Sequence, residues 1–559
     1  MPRQPGNRPA VQRHPAQLRP LISLKSLLDQ AISDSPPASR RSWWLLAGLL
    51  TAYALLVWST RQTGIYTGED DAGYLLLSDA LREGTYREWQ WLGDPIANRF
   101  PPGYPALLMI VRLLVPNGLL AATLLGIGFS VVGLVALYDV VRRRIGSDIG
   151  LASVAIIVVN PALVSDAGGA MSEAVFTSLI LLTLWAAVRA DETNRSRDAV
   201  LAMALAIAAS FVRAAGLTVP LVLLLHWALT RRWKRLAILA LVLACTIGAW
   251  HAWTVVAPTS VERRSYVADA AKIAQTQSDQ QSAIVNAAVR GSRSARTYLS
   301  QDLPWKLAQP TVPGTLIDNV FWLALNLGCA FTGLVLLWKR WRPAALFLVV
   351  YGSLLMAWTW HVDRFLQPAL PLILVSMFVG ASWLASRITP RAGAWGVGVV
   401  LTLLAAPALA TDADTVASAT TCRVDPYERL ECADARSLDL VSLARAAGST
   451  LPGDAVVFAP KERAFHYHSG LKLPIMDALL EVPADSFASE LRARGVTHAV
   501  LSTAGYDYRR ARSLLTAICR ELDVSQVVAR ETLMFEVRST PLETPGPACV
   551  LLEHTRPRP

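Results

Sequence analysis

Charge is scarce in this chain. Asp, Glu, Lys and Arg make up 17% of the 559 residues, against about 25% in an ordinary soluble domain. Histidine, methionine and cysteine are sparse as well, at 8, 8 and 6 residues. With 53% hydrophobic residues and a mean hydropathy of +0.37, this shortage excludes a soluble multidomain enzyme. It points to a bundle of membrane helices carrying a modest soluble part. Catalytic signatures are missing too: no HExxH, GxSxG, P-loop or GxGxxG occurs in a credible context, and no internal repeat runs through the chain. The net charge is +11. A nucleic-acid protein would gather that charge on a folded soluble domain. Here Lys and Arg sit in short loops between apolar runs, so the charge reports topology and no nucleic-acid partner is expected.

Apolar runs are what the chain has in quantity, each long enough to cross a hydrocarbon core of roughly 30 Å. The pattern predicts a mainly α, polytopic transmembrane bundle of about eleven spans, near 43–60, 119–141, 149–165, 171–189, 198–211, 214–229, 235–257, 316–338, 342–360, 364–385 and 391–410. Residues 1–42 read as a disordered, basic cytoplasmic tail rather than a signal peptide. The basic clusters Arg142-Arg143-Arg144, Arg189 with Arg195 and Arg197, Arg231 to Arg235, Lys339 with Arg340 and Arg342, and Arg387 with Arg391 all fall on the cytoplasmic side of that map. Three segments then face outward: a first loop at 61–118, a second at 258–315, and a domain at 411–559. The apolar stretch 104–116 is too short to span and is expected to be interfacial or re-entrant. The expected location is the bacterial inner membrane, with the C-terminal domain extracytoplasmic.

The C-terminal segment reads as a small α/β domain, with strands at "DAVVFA", "VTHAVLS", "SQVVAR" and "LMFEV". It holds four cysteines. By proximity Cys422 pairs with Cys432, leaving Cys519 for Cys549, as an oxidising compartment permits. Cys245 and Cys329 lie in apolar spans and read as packing residues. His466 and His468 lack metal-ligand neighbours and read as surface or helix residues.

The chemistry-bearing residues concentrate at the outward ends of spans. Glu69, Asp70 and Asp71 stand consecutively just past the first span. Crowded carboxylates raise one another's pKa or recruit a cation; a solvated helix N-terminus fits the same triplet. Glu173 borders the apolar helix 171–189, where an acid is costly, and an N-cap arrangement with Ser172 is the competing reading. Arg213 and Arg364 end spans on the same side. Each is able to grip a phosphate or to snorkel to headgroups, and Asp363 is placed to neutralise Arg364. Arg290, Arg293 and Arg296 recur every three residues and would share a helix face suited to an anionic headgroup.

Taken in order, these positions resemble the GT-C superfamily of membrane glycosyltransferases, and within it the branch of the protein O-mannosyltransferases and the aminoarabinose transferases of lipid A. The matching stretches are Asp70, Asp71 and Tyr74; Pro101, Pro102, Gly103 and Tyr104; Glu173; Arg213 with Gly216; and Arg364, Phe365, Leu366 and Pro368. Departures occur too: many relatives have Asp at the Glu173 position, and some have Lys where this chain has Phe100, with Arg99 one residue earlier. The resemblance implies transfer of a sugar from a polyprenyl-phosphate donor to an acceptor outside the cytoplasm by one inverting displacement. It casts Asp70 as the general base, with Asp71 and Glu173 orienting the acceptor or holding a divalent cation such as Mg or Mn. Tyr74, Tyr104, Arg99, Arg213 and Arg364 become the substrate-binding residues, the arginines facing the lipid phosphate. Membrane lipids are further partners. The rival readings are a transporter or flippase of lipid-linked saccharides, which calls for repeats and midplane charges, and a polytopic anchor or receptor for the outward domain.

Overall fold

The computed structural model describes residues 39–256, 283–309, 320–358, 361–389, 391–505, 507–525 and 531–554. Most of the expected tail at 1–42, much of the 258–315 loop and five residues of the predicted "SQVVAR" strand lie outside the described residues.

In hydrocarbon every backbone N–H and C=O must be paired within its own segment, so long apolar runs become helices. Among the described residues, seven helices are long and apolar enough to cross a membrane: Arg40–Thr60, Gly118–Arg144, Glu173–Thr193, Trp233–Thr254, Val320–Arg340, Asp363–Ser386 and Ala392–Cys422. The expected span at 149–165 is instead two helices, Ser147–Val158 and Pro161–Gly168, bent by 63°. Its sequence explains the break. Asn160 caps a new helix, its Oδ1 accepting the Leu163 N–H at 3.1 Å, and Pro161 occupies the first turn. Three further predicted spans appear as Ser196–Val212, Ala214–Leu229 and Arg342–Ala357, apolar but no longer than 17 residues. The stretch expected to be interfacial forms the ten-residue helix Gly103–Arg112. It is too short to cross roughly 30 Å, and its Arg112 is bound to Asp79 at 2.9 Å.

Small residues let these helices approach closely. A Cβ at Gly333 would lie 1.8 Å from the Ser376 carbonyl oxygen, and one at Gly380 2.0 Å from that of Cys329. Helices Val320–Arg340 and Asp363–Ser386 are therefore locked face to face by glycine. Helices Gly118–Arg144 and Glu173–Thr193 run parallel. At their C-terminal ends Arg144 meets Glu192 at 2.9 Å and Arg143 binds Asp139 at 2.7 Å. Arg235 and His226 join the same end through Asp191, at 3.6 and 2.6 Å. Their N-terminal ends, with Glu173, lie at the opposite end of the bundle.

The described C-terminal residues form a four-stranded sheet of order β1-β2-β4-β3, with β1 (Val457–Phe458), β2 (His498–Leu501), β3 (Leu522–Val524) and β4 (Leu533–Val537). β1 is parallel to β2, and β4 is antiparallel to both its neighbours. β3 therefore precedes the predicted "SQVVAR" stretch. Side chains alternate across the sheet. Val457, Val500 and Met534 pack on Leu440, Leu443 and Ala447 of helix Ala435–Thr450. Phe458, Ala499, Leu501 and Phe535 pack on Phe487, Leu491, Leu514 and Leu515 from the other side. Both expected disulfides are present, Cys422–Cys432 and Cys519–Cys549. Cys329 is buried as expected of a packing residue, whereas Cys245 is exposed on the outside of its helix.

Candidate active site

Helix Asp70–Arg82 begins with Asp70 and Asp71 in its first turn, where free N–H groups favour carboxylates. Glu69, at the N-cap position, has a φ of 70°, the left-handed region unusual for a side-chain-bearing residue. This turn sends the three consecutive carboxylates to three different partners. Glu69 accepts from the backbone N–H groups of Arg463 at 3.2 Å and Ala464 at 3.4 Å. Asp70 is ion-paired with Arg364. Asp71 is 5% exposed; it accepts from Gln62 Nε2 at 2.8 Å and from the Ala72 N–H at 2.8 Å. The triplet is a helix start, but not a solvated one. Burial pushes the carboxyls of Glu69 and Asp71 above their ordinary range, against the opposing pull of Arg463 on the first and of the Gln62 hydrogen bond on the second.

From Asp70 the charges alternate inward. Arg364 Nε lies 3.8 Å from Glu173 Oε1, and Glu173 Oε1 lies 2.6 Å from Arg213 Nη1. Glu173 has no exposed surface. Stripping water from such ions costs several kcal/mol each, which only close pairing offsets. Both guanidinium groups flank one ring, with Arg213 Cζ 5.7 Å and Arg364 Cζ 6.0 Å from the Phe365 centroid. Ser172 does not cap its helix. Its Oγ accepts from Arg213 Nη1 at 3.0 Å and shares a hydrogen bond of 3.0 Å with the Tyr74 hydroxyl. The Tyr74 ring packs on Tyr104 at 4.8 Å and on Phe100 at 5.0 Å. The Tyr104 hydroxyl is buried without a hydrogen-bond partner among the described residues.

Of the residues singled out from sequence, Asp70, Glu173, Arg213 and Arg364 thus form one cluster. Tyr74 joins it through Ser172, and Tyr104 stands directly behind Tyr74. Asp71 turns away toward Gln62, which in turn accepts the Ala170 N–H at 3.1 Å. Arg99 is partly exposed, one residue before Phe100. The Asp363 carboxylate serves Lys306 first, at 2.7 Å, and accepts the Arg364 backbone N–H at 2.8 Å, the Arg364 charge adding a weaker attraction. Lys306, 8% exposed, was not anticipated, nor was Asp166. Asp166 lines an internal cavity of about 30 Å³ with Tyr53, Ser130, Thr177 and Ser178. Neither carries a local signal; long-range folding alone brings Lys306 to Asp363. His466 and His468 are helical as expected; His468 belongs to an interface, its Nε2 lying 2.8 Å from the Ile65 carbonyl oxygen, while His466 Nδ1 lies 2.8 Å from the Leu471 carbonyl oxygen of its own unit.

The carboxylates of Asp70, Asp71 and Glu173 are engaged by other side chains in this structure. Arg364 and Arg213 occupy two of the carboxylates, Gln62 occupies the third, and among the described residues no three His, Cys, Asp or Glu side chains converge as a metal site.

A polytopic helix bundle with paired acids and arginines at one end and a C-terminal α/β unit beside it defines a class of membrane protein. A family model described as dolichyl-phosphate-mannose-protein mannosyltransferase matches residues 99–260, the stretch that carries Pro101, Glu173 and Arg213. Two solved structures share the architecture. ArnT from Cupriavidus metallidurans bound to undecaprenyl phosphate is 14% identical, covers 90% of this chain and 100% of its own, and has a TM-score of 0.51. The oligosaccharyltransferase AglB from Archaeoglobus fulgidus, in complex with an inhibitory peptide and a dolichol-phosphate, is 10% identical, covers 92% of this chain and 77% of its own, and has a TM-score of 0.55. No curated protein matches the chain in sequence. The chain thus shares the fold of these two membrane-protein structures and matches the mannosyltransferase family model over residues 99–260.

Proposed function

We propose that the protein transfers a sugar from a polyprenyl-phosphate carrier to a hydroxyl acceptor on the extracytoplasmic face. The observation that carries this is the Asp70–Arg364–Glu173–Arg213 cluster, set at the end of the bundle opposite Arg142, Arg143, Arg144 and Arg235. Basic helix ends favour the cytoplasm, which supports an outer-face location for the cluster, where an amphipathic donor would present its headgroup. The lipid phosphates named with the ArnT and AglB structures agree with such a donor.

In the proposed step the acceptor oxygen attacks the anomeric carbon as its proton passes to the Asp70 carboxylate. The new O–C bond forms while the bond from carbon to phosphate oxygen breaks, inverting the centre. The electron pair leaves with the lipid phosphate. Its growing charge is met by the guanidinium groups of Arg364 and Arg213. Glu173 keeps Arg213 aimed, and Tyr74 and Tyr104 line the sugar side. Asp71, fastened to Gln62, anchors the helix that carries Asp70. No step is routed through a metal.

The test uses purified full-length protein with a panel of polyprenyl-phosphate sugars, comparing wild type with Asp70→Asn. Release of polyprenyl phosphate by the wild type, with a loss of about 10²–10⁴ in rate for the variant, is the expected result. Equal turnover by both would remove Asp70 as base. Absence of release with every donor, in the presence of membrane extract as acceptor source, would remove the transferase reading.

A further inference from the structure

The least explained charge in the molecule is Arg463. It belongs to helix Glu462–Ser469 of the C-terminal unit, yet it is 6% exposed and surrounded by the segment that follows the first span. Its guanidinium lies 3.4 Å from Glu88 and 4.0 Å from Glu69. It covers the Phe100 ring at 4.7 Å and the Trp91 ring at 5.4 Å. Its stem crosses helix Asp70–Arg82 at Gly73, where a Cβ would lie 2.7 Å from Arg463 Cδ. A guanidinium without such partners would be too costly to bury. This one finds its carboxylate ion-pair partners, Glu88 and Glu69, and its two aromatic rings across the junction between the two parts of the chain.

The same junction is stitched by main-chain contacts. Leu92 N–H donates to Leu473 O at 2.9 Å, and Leu473 N–H donates back to Gln90 O at 2.9 Å. The Tyr427 hydroxyl accepts the Ile65 N–H at 3.1 Å, and the Tyr66 hydroxyl donates to Pro426 O at 2.7 Å. Within this frame the Glu69 carboxylate closes the first turn of helix Glu462–Ser469 through the Arg463 and Ala464 N–H groups. A left-handed φ at a residue with a side chain persists only where its surroundings over-determine it. At Glu69 those surroundings come from the C-terminal unit, and the next residue is Asp70.

We infer that the C-terminal unit is a positioning element of the site: Arg463 and the amides of Arg463 and Ala464 clamp Glu69 and so hold Asp70 toward Arg364. Arg463 is then a positioning residue for the transfer, and this rests on the reading of Asp70 as the base. The clamp itself is a structural statement that is measurable without turnover.

The experiment is amide hydrogen exchange over residues 66–74, with donor turnover alongside, on the full-length protein in lipid nanodiscs. Arg463→Ala should speed exchange in that segment by about tenfold or more as local opening becomes easier, and lower kcat by about tenfold with the donor KM within about twofold. Arg463→Lys should recover part of both, because it keeps the charge but not the planar fork. Should Arg463→Ala fail to fold, Glu69→Gln serves instead: it keeps an oxygen for the amides and loses the charge, and exchange in 66–74 should rise by a smaller factor. Unchanged exchange in the folded variant overturns the clamp whatever happens to turnover. A wild type that turns over no donor, together with accelerated exchange in Arg463→Ala, would refute the transferase reading and leave the clamp standing.

Discussion

Arg364 is ion-paired with Asp70 across 294 positions of sequence, and the same guanidinium reaches to 3.8 Å from Glu173. One cation thus links the carboxylate proposed to take the acceptor proton to the carboxylate that holds Arg213. Replacing Arg364 by Ala should lower kcat by about 10²–10³, the usual loss when a charge-stabilising donor is removed from an active site. Arg364→Lys should fall between that and wild type. Steady-state turnover at saturating donor checks the order; a fully active alanine variant would take Arg364 out of the site.

The Glu173–Arg213 pair makes a statement about stability. With Glu173 fully buried, Arg213→Ala leaves an uncompensated carboxylate, at a cost of about 3–5 kcal/mol. Adding Glu173→Gln to that variant should restore a good part of the loss, because no charge then remains to be compensated. A double-mutant cycle on thermal unfolding in detergent reads the coupling. Strictly additive effects would mean that the two do not act as a pair.

Tyr104 offers a separation of folding from function. Its hydroxyl is buried and makes no hydrogen bond among the described residues, so Tyr104→Phe should change stability by less than about 1 kcal/mol. If the hydroxyl awaits the sugar, the same variant should raise donor KM severalfold. Unaltered kinetics would return Tyr104 to a purely packing role behind Tyr74.

Glu462 predicts a pH dependence at the junction. Its carboxyl accepts the Met476 N–H at 2.8 Å. Burial first, and then the neighbouring charge of Glu69, pushes it up to about 7, whereas an unfolded glutamate titrates near about 4.3. Over that interval the folded state binds the proton that the unfolded chain has lost. The contribution is complete below the lower value and lost as pH rises through the upper one. The variant Glu462→Gln, which keeps the acceptor oxygen, should therefore melt higher than wild type near pH 8 and close to it near pH 4, with about 2–4 °C per kcal/mol. Parallel melting curves across that range would count against the assignment.

Residues with a local signature were legible from sequence. The apolar runs, the basic helix ends, Glu173 at a helix start and the order of Asp70, Tyr74, Pro101 and Arg364 all announce themselves in short windows. Hydropathy does not see a capping residue inside an apolar run, so the break at Asn160 was read as continuous span; the Asn-Pro pair was the available signal. Pairings were not legible. Nothing near Asp363 says that Lys306 will be its first partner, and nothing near "KERAFHYH" says that Arg463 will be buried, and His468 packed, against the segment after the first span. Such contacts are settled by tertiary packing, to which periodicity is blind.

The clamp on Glu69 also sets an order of events in biogenesis. The two amides that hold it come from residues 394 and 395 positions later. At a synthesis rate of about 5–20 residues per second that is a wait of roughly 20–80 s. During that interval the first helices are already inserted while the turn before Asp70 has nothing to close on. A nascent chain ended before residue 463 would therefore sit in the membrane with the turn before Asp70 unclamped, and the site would be complete only when the last part of the chain has been made and docked.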